Sequence, residues 1–470
     1  MNKRYSKLGK NTILLFVGNF ASKLLSFFLV PLYTYYLTTS EYGISDLLST
    51  TVSLLVPFLT LVASEAVLRF TLDKEIDKGQ ILTISNVITF CGFVLLLAIS
   101  PFLQKIVPFS GYYHYFLLDY IFMALATNLE QFVKGLEHIF TFVFCGVLQT
   151  LVSISLNILL LVVFNMGIKG YLIAIIASSA AVTIFITIKE KIWKYWVKPS
   201  SISKRLWHEY VLFCLPLVPN SLSWWISDSS DKYILQLFWG ASLTGIYSVS
   251  YKIPSIISTI SGIFTGAWQI SAVDDFGSDE SNKFISGVYD KYSSLFFVSA
   301  PLIVLFTRPL AKFLFSKDFF NAWPYSVILI YSAAFHSLAG FLGVIYTTAR
   351  KTRMIFVTTL LGAVGNIIMN FAFIPRWGAY GAAVATLISY ILVWLVRLFD
   401  SRKIVPIQFN LKRDIICYAL FALQGITTVL QLPGYLFVSV FIAIAELIIN
   451  RKLVSEMFRI IMTRFSRVKN

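Results

Sequence analysis

The stretch NTILLFVGNFASKLLSFFLVPLYTYY, residues 11–36, decides the fold class. It is longer than the roughly 20 apolar residues that a helix needs to cross a hydrocarbon core about 30 Å thick. Similar runs recur along the chain, whose 470 residues are 57% hydrophobic and 13% charged, with a mean hydropathy of +0.76. Because lipid offers no partner to backbone N–H and C=O groups, these runs predict helices. The sequence therefore predicts an all-α polytopic membrane protein.

The apolar runs predict about 14 transmembrane helices. Their expected bounds are 11–36, 44–66, 80–103, 114–134, 141–164, 170–188, 208–228, 243–266, 284–307, 324–347, 354–374, 378–398, 414–431 and 433–449. With a cytoplasmic N-terminus, 29 of the 39 Lys and Arg residues lie inside and 7 lie outside. The positive-inside rule then predicts that both termini are cytoplasmic. No cleavable signal peptide is expected before the first run.

Composition excludes several classes of function. The net charge of +16 is explained by basic loops that face anionic lipid headgroups, so no nucleic-acid partner is expected. The four cysteines stand singly within the runs and show no metal-ligand spacing. There is no phosphate-binding GxxxxGK[ST] motif. The outer loops are too short for a catalytic domain, so we expect a protein that is not an enzyme and has no resident metal or cofactor.

An internal repeat relates the two halves of the chain. VGNFASK at 17–23 aligns with VPNSLSW at 218–224, SEYGIS at 40–45 with SLTGIY at 242–247, and 157–170 with 366–381. Six spans per half preserve orientation, so the sequence predicts two parallel six-helix repeats with a site between them near the midplane. We expect an N-lobe at 1–200, a C-lobe at 201–405, and two further helices with a basic cytoplasmic tail at 406–470.

Polar residues form a stripe on the first span. Asn19, Ser22, Lys23 and Ser26 are spaced i, i+3, i+4, i+7 and share one helix face. A lysine at the centre of a spanning helix costs about 2.5 to 3.5 kcal/mol. Two interpretations remain open: Lys23 faces a water-filled cavity as a functional charge, or it pairs with an acidic residue on a neighbouring helix.

The repeat-related seventh span carries a longer stripe. Its members are Asn220, Ser223, Trp224, Ser227, Asp228 and Asp231. Asp231 is expected at the membrane interface. Asp228 is expected about one turn deeper, either as a partner for Lys23 or as a protonatable coupling group.

Further charges lie within or beside other spans. Lys252, near the middle of the eighth span, is a second candidate cavity cation. Glu65 and Arg69 are spaced i, i+4, as are Glu130 and Lys134, and interfacial salt bridges would account for both pairs. A role for Glu65 and Arg69 in gating the cytoplasmic mouth is the alternative.

Three stretches resemble one family of transporters: VGNFASKLLSFFLVPLYTYYLTTSEYG from residue 17, SDSSDKYILQLFWGASLTGIYSVSYKIP from residue 227, and RWGAYGAAVATLISY from residue 376. They are similar to Wzx-type polysaccharide flippases of the multidrug/oligosaccharidyl-lipid/polysaccharide exporter superfamily, which have MATE-like lobes. The resemblance implies translocation of an undecaprenyl-diphosphate-linked oligosaccharide between leaflets of a bacterial cytoplasmic membrane, for capsule, O-antigen or exopolysaccharide assembly. Two lobes would give alternating access to a cationic cavity.

On this basis Lys23 and Lys252 are expected to attract the diphosphate, while Asn19, Ser22, Ser26, Asn220, Ser223 and Trp224 line the glycan path. Asp228 is a candidate for H⁺ or Na⁺ coupling. Expected partners are the lipid-linked oligosaccharide, membrane lipids, and polysaccharide polymerase and chain-length regulator proteins. One alternative is a cation-coupled multidrug exporter of the same superfamily, whose cavity should be acidic. A second is a membrane enzyme acting on lipid-linked sugars.

Overall fold

The computed structural model describes residues 23, 25–271, 279–349, 351–456 and 459. Throughout these ranges the secondary structure is helical, without any β-strand. The expected site residues Asn19 and Ser22 lie outside the described ranges.

Fifteen α-helices follow one another along the described part of the chain. They are α1 (Val30–Tyr36), α2 (Thr39–Leu59), α3 (Ala63–Thr71), α4 (Lys78–Ile106), α5 (Tyr113–Gly135), α6 (Ile139–Asn157), α7 (Gly167–Lys189), α8 (Lys204–Cys214), α9 (Leu217–Ser250), α10 (Ser255–Ser271), α11 (Asp279–Leu314), α12 (Trp323–Thr348), α13 (Thr352–Ser401), α14 (Leu411–Val429) and α15 (Tyr435–Ile449).

The expectation of an all-α polytopic membrane protein is confirmed. Among the described residues, eight helical segments are long and apolar enough to cross a membrane, and α15 is a shorter apolar helix. One of the eight, Arg353–Ser401, contains two of the expected spans, which are separated by a non-helical backbone at Gly378. The 34-residue helix α9 is not among the eight, and it carries three charged residues between positions 228 and 232.

The described residues form two compact units, which adjoin in the chain at Gly245 and Ile246. The first unit holds α1 to α8 and most of α9. The second holds the remainder of α9 and α10 to α15. The expected lobes at 1–200 and 201–405 remain a prediction.

In the first unit, Glu41 connects the starts of two helices. It completes a capping box at the start of α2, where the Thr38 side chain accepts from the Glu41 N–H and the Glu41 carboxylate accepts from the Thr38 N–H. The other carboxylate oxygen accepts from the N–H of Ile168 in the first turn of α7. An acidic side chain at two helix N-termini is favoured by both dipoles, so Glu41 fixes α2 and α7 to each other.

The second expected span, 44–66, is interrupted. Helix α2 ends at Leu59, and Leu61 and Val62 have positive φ before α3 begins at Ala63. A left-handed backbone at a β-branched valine is strained. The break lies against α4, where a Cβ at Gly92 would clash with the carbonyl oxygen of Leu59.

The predicted repeat is visible in local geometry. Gly167 opens α7 with a φ of +56°, and Gly378, its counterpart in the second half, has a φ of +53°. Three residues after each, Gly170 and Gly381 pack so closely against the preceding segment that a Cβ would lie 3.0 Å from Leu160 or 2.6 Å from Phe373. The Gly-x-x-Gly turn that the sequence matched is therefore built in the same way in each unit.

The seventh expected span is displaced along the chain. Residues 208–228 were expected to cross the membrane, but Lys204–Cys214 form the separate amphipathic helix α8. Pro216 follows it, and α9 runs from Leu217 to a kink at Gly240, where φ is +79°. Proline cannot continue a helix without losing a hydrogen bond, which explains the break that a hydropathy average conceals.

The second unit is built around α12, most of whose residues are buried. Arg397, at the end of the expected span 378–398, is 2% exposed and lies inside α13. Its guanidinium donates to the hydroxyls of Thr358 and Thr359 and to the carbonyl of Ala339, at 2.9 to 3.0 Å. Three neutral acceptors replace water around the charge, so Arg397 is a packing residue of this unit.

Two ion pairs attach the last helices to α11. Arg413, at the start of α14, pairs with Asp290 at 2.7 Å and donates to the hydroxyls of Ser293 and Ser294. Lys291 pairs with Glu456 at 2.7 Å, and this hydrogen bond lowers the pKa of the Glu456 carboxyl below its usual range. The second unit therefore includes the two helices beyond the repeat.

Candidate functional site

Lys23 is exposed and helical. It makes no hydrogen bond or ion pair with the residues that the structure describes, and both interpretations of this lysine stay predictions. Ser26, one turn later, is exposed as well.

The two expected i, i+4 salt bridges are absent. Glu65 and Arg69 are exposed on α3 and form no ion pair in the described structure, and neither do Glu130 and Lys134 on α5. Lys134 instead lies 5.5 Å from the centre of the Phe142 ring. Exposed pairs of this spacing gain little free energy, which explains why Glu65 and Arg69 remain apart.

The polar stripe of α9 lies in the middle of that helix. Asp228 is 12 residues before the kink at Gly240, about 18 Å along the axis, and its side chain is exposed. Asn220 and Trp224 are half-buried. Ser223 is buried, and its hydroxyl donates to the carbonyl of Pro219 at 2.9 Å. A water-accessible surface along α9 stays a prediction.

Two charged residues differ from their expected positions. Asp231, expected at the membrane interface, is 1% exposed and accepts from the backbone N–H of Lys232. Lys232, four residues beyond the end of the expected span 208–228, lies inside α9 with a side chain only 14% exposed. The position of α9 explains both differences. The helix starts later than the expected span and continues beyond residue 228 to the kink at Gly240.

Lys232 forms an ion pair with Asp46 of α2 at 2.8 Å. The Asp46 side chain is 23% exposed, so both charges are mostly withdrawn from solvent. The sequence contained a signal for this residue, since Asp46 is an acidic side chain within the second expected span. Its partner lies 186 residues away, and no pattern in the sequence connects the two.

Neutral contacts continue the junction of α2 and α9 on both sides of this ion pair. The Thr39 and Ser242 hydroxyls lie 2.7 Å apart at one end. Towards the other end, the Tyr233 hydroxyl contacts Thr51, and the indole N–H of Trp225 donates to the carbonyl of Thr50 at 2.9 Å. We call this junction the α2–α9 contact.

Gly43 and Gly245 form the closest approach of the α2–α9 contact. A Cβ at Gly245 would overlap the carbonyl oxygen of Thr39, and a Cβ at Gly43 would overlap that of Ala241. These two glycines are the ones that the repeat aligned at 40–45 and 242–247. Residues that the repeat aligns therefore meet each other within the first unit.

Lys252, in the second unit, lies at an interruption. Helix α9 ends at Ser250, α10 begins at Ser255, and Lys252 is half-buried between them. Its carbonyl accepts from the Ser255 hydroxyl at 2.6 Å. Interrupted helices are typical of transporter binding sites, because the break exposes backbone groups and helix ends to a ligand.

We expect exchange of the charges of Asp46 and Lys232 to restore what either single change removes. Asp46→Lys or Lys232→Asp places two like charges together and should weaken the α2–α9 contact by about 1 to 3 kcal/mol, between the values for surface and buried pairs. The measurement is disulfide formation between Thr39→Cys and Ser242→Cys in membranes, with Cys91, the exposed native cysteine, replaced by Ser. A double variant as poorly cross-linked as the singles would contradict the pairing.

Comparison with known proteins identifies related sequences. A family model described as polysaccharide biosynthesis protein matches residues 8–268, more than half of the chain. The uncharacterized membrane protein MJ1375 of Methanocaldococcus jannaschii is 23% identical over 371 residues, which cover 74% of this chain and 80% of that protein. MJ1068 of the same organism is 29% identical over 121 residues, 25% of this chain and 23% of its own length, so the match spans less than a quarter of that relative.

The fold is similar to those of solved transporters. The lipid II flippase MurJ, in an inward closed conformation, matches 96% of this chain and 100% of its own with a TM-score of 0.72 and 14% identity. An inward-facing multidrug resistance MATE family transporter of the MOP superfamily matches 82% and 95% with a TM-score of 0.67 and 12% identity. At these identities the likeness concerns the fold alone, and it agrees with the MATE-like lobes expected from the sequence.

Proposed function

Because the chain belongs to the polysaccharide biosynthesis protein family, we propose that it is a flippase for undecaprenyl-diphosphate-linked oligosaccharide repeat units. It moves them from the inner to the outer leaflet of a bacterial cytoplasmic membrane, for capsule, O-antigen or exopolysaccharide assembly. Both termini face the cytoplasm. The similarity of the fold to MurJ, which is named a lipid II flippase, supports this class of cargo.

The observation that carries the proposal is the exposed Lys23, which has no ion-pair partner in the described structure. A diphosphate leaving the headgroup region needs cations within the membrane, and an unpaired lysine can supply one. Lys252, at the interruption between α9 and α10, supplies the second. Lysine binds phosphate as a point charge without the planar geometry of arginine, so it can follow a cargo that moves.

The route of the glycan follows the polar stripes. Asn19, Ser22 and Ser26 lie beside Lys23, and Asn220, Ser223 and Trp224 lie on the repeat-related helix. The Ser223 hydroxyl already donates to the carbonyl of Pro219, and Asn220 and Trp224 are half-buried beside it. Asp228, exposed near the middle of α9, is the candidate for H⁺ or Na⁺ coupling.

The α2–α9 contact serves as the outer closure in this mechanism. It joins α2 to α9, and Glu41 in turn joins the start of α2 to the start of α7. The sequence assigns α9 to the C-lobe. Separation of the contact opens the site to the outer leaflet, and its formation seals that side while the cytoplasmic side is open. An ion pair and a glycine contact suit this purpose, because they form cooperatively and leave no side chain in the way.

Deletion of the gene tests the proposal directly. We expect undecaprenyl-linked repeat units to accumulate on the inner leaflet, measured by lipid extraction and mass spectrometry, with surface polymer lost. Polymerase and chain-length regulator proteins act after translocation, so a strain lacking the polymerase provides the control in which the units reach the outer leaflet. Unchanged lipid-linked sugars with altered drug tolerance would replace the proposal with multidrug export, and a missing sugar residue would indicate an enzyme.

A further inference from the structure

The linker between α7 and α8, residues 190–203, lies at the ends of three helices of the first unit. It follows the end of α7 and packs against the start of α4 and the end of α5. The backbone N–H of Val197 donates to the Thr83 hydroxyl at 3.3 Å, and the rings of Tyr195 and Phe132 meet edge to face at 5.2 Å. Because α4, α5 and α7 are each long and apolar enough to cross a membrane, the α7–α8 linker lies at a membrane surface.

The inner side of the α7–α8 linker is fixed to the protein. The backbone N–H of Ser203 donates to the side-chain carbonyl of Gln80 at 3.2 Å. A Cβ at Gly79 would lie 2.7 Å from the carbonyl oxygen of Tyr195, so the linker backbone lies directly on the first turn of α4. Three apolar side chains of the linker pack against the hydrophobic core of the first unit: Ile192, Tyr195 and Ile202. The linker is therefore an ordered segment with one covered face.

The outer side of the α7–α8 linker carries large apolar side chains beside cations. Trp193 is 57% exposed and Trp196 is 61% exposed. Four exposed lysines alternate with them in the sequence, namely Lys189, Lys191, Lys194 and Lys198. None of the four side chains forms a hydrogen bond or an ion pair with a residue that the structure describes. Tryptophan is highly buried on average, so two exposed tryptophans close together indicate a surface for binding.

The positive charge of this segment is not balanced by the protein. Residues 189–205 contain six Lys and Arg residues and one acidic residue, Glu190. The Glu190 side chain is 10% exposed and its carboxylate lies 2.9 Å from the His138 ring, so it is turned away from solvent. In the described structure, Arg205 is the one cation of this segment with a carboxylate partner, Glu209 at 2.8 Å. The lysines therefore remain to attract an anion.

A membrane surface that contains anionic phospholipids fits both the cations and the tryptophans. Tryptophan is enriched at the level of the lipid headgroups, and clusters of basic residues beside a spanning helix attract anionic headgroups. Helix α8 continues the same arrangement, because Leu212 and Phe213 are exposed while Leu206 and Tyr210 are buried. An acidic soluble protein would account for the cations alone, since it gives no reason for exposed apolar side chains at the level where three spanning helices end.

We propose that the α7–α8 linker is a binding surface for the anionic phospholipid headgroups of the cytoplasmic leaflet. Trp193 and Trp196 lie among the headgroups, and Lys191, Lys194 and Lys198 bind the lipid phosphates. Each lysine near an anionic surface strengthens the association by about fivefold, so these three account for most of the preference over zwitterionic lipid. The surface is separate from the polar stripes of the transport route, and it gathers anionic lipid whether or not cargo is present.

Quenching by brominated lipids tests this surface on the full-length protein in vesicles. A bimane label is attached at Trp196→Cys, in a background with Cys91→Ser because Cys91 is the exposed native cysteine. The vesicles contain equal amounts of phosphatidylglycerol and phosphatidylcholine, and either one lipid or the other carries the bromine. We expect stronger quenching when phosphatidylglycerol is the brominated lipid. This difference should shrink at high salt, which screens the attraction between exposed charges.

Variants of the linker lysines separate the effect of charge from that of position. Replacement of Lys191, Lys194 and Lys198 by Gln should abolish the difference between the two lipids, whereas replacement of the same three by Arg should preserve it. Lys105→Gln is the matched control, because Lys105 is an exposed lysine at the opposite end of α4. It should leave the quenching difference unchanged. All four lysines are exposed, so these changes do not disturb the packed side of the linker.

Three results would overturn the proposal. Equal quenching by the two lipids would show that the linker has no preference for anionic headgroups, and no quenching by either would place its outer side in water or against another protein. Loss of the difference on addition of inorganic phosphate, but not of chloride at the same ionic strength, would assign the lysines to a soluble anion. None of these measurements involves a lipid-linked sugar, so their outcome is independent of the gene-deletion experiment.

Discussion

Gly245→Val is expected to abolish polymer export while the protein still inserts into the membrane. The Cβ of any residue at 245 overlaps the carbonyl oxygen of Thr39, which is backbone and cannot rotate away. The two helices must separate, at a cost of about 3 kcal/mol, which is the upper part of the range for overpacking. That corresponds to a more than hundredfold loss of the closed contact, at about 1.4 kcal/mol per tenfold.

The readouts are surface polymer by immunodetection and the yield of the Thr39→Cys and Ser242→Cys disulfide. Gly287→Val is the matched control, because Gly287 is also inside a helix but exposed, with nothing within 4 Å of a Cβ. Gly43→Val should reproduce the defect, since its Cβ meets the carbonyl of Ala241. Normal export in both variants would show that the α2–α9 contact is dispensable.

Lys23→Ala and Lys252→Ala are each expected to abolish polymer export. A cation about 4 Å from an anion gains about 4 kcal/mol at an effective dielectric of 20, so its loss weakens the hold on a diphosphate by roughly a thousandfold. Lys23→Arg should retain more activity than Lys23→Ala, because it keeps the charge. Accumulation of lipid-linked repeat units on the inner leaflet is the measurement that places the defect at translocation.

Lys412→Ala provides the comparison for these variants. Lys412 is exposed at the start of α14, beyond the repeats, and its loss should leave export unchanged. Wild-type polymer levels in both Lys23→Ala and Lys252→Ala would remove the cationic-cavity hypothesis. A deficit in all three variants would point to a general effect of net charge on insertion.

The helical class, the repeat and the stripe on α9 could be read from the sequence because each depends on local spacing. Hydropathy averaged over about 20 residues identifies helices that cross lipid. The aligned glycines at 43 and 245 indicate positions where the backbone of another segment comes too close for a side chain. Asp228 is exposed on this helix, which begins later than expected, and the role of the stripe stays a prediction.

Other features depend on contacts that a window along the chain cannot contain. A span average joined α8 to the start of α9 across Pro216, because apolar residues on both sides of the proline form one run in the sequence. The pair of Asp46 and Lys232 joins residues 186 positions apart. Arg397 lies at the edge of an expected span, where a buried and an exposed arginine have the same sequence pattern. Only the hydrogen-bond acceptors around the guanidinium show that it is buried.

Asp119 illustrates the same difficulty from the opposite direction. A single acidic residue near the end of an apolar run is ordinary if it reaches the headgroups, and the sequence gives no sign of what covers it. The structure shows that α5 turns this side chain inward at 3% exposure. The burial of Asp119 is set by the surrounding helices, which a window along the chain does not contain.

The attachment of the last two helices has a consequence for biogenesis. Ser293 of α11 receives its hydrogen bond from Arg413, which lies 120 residues further along the chain. At a synthesis rate of about 5 to 20 residues per second, Ser293 waits about 6 to 24 seconds for this partner. During that interval the Ser293 hydroxyl can donate to the carbonyl of Asp290, but the ion pair of Asp290 with Arg413 is missing. The contacts of α11 in the second unit are therefore completed only after α14 has been synthesised.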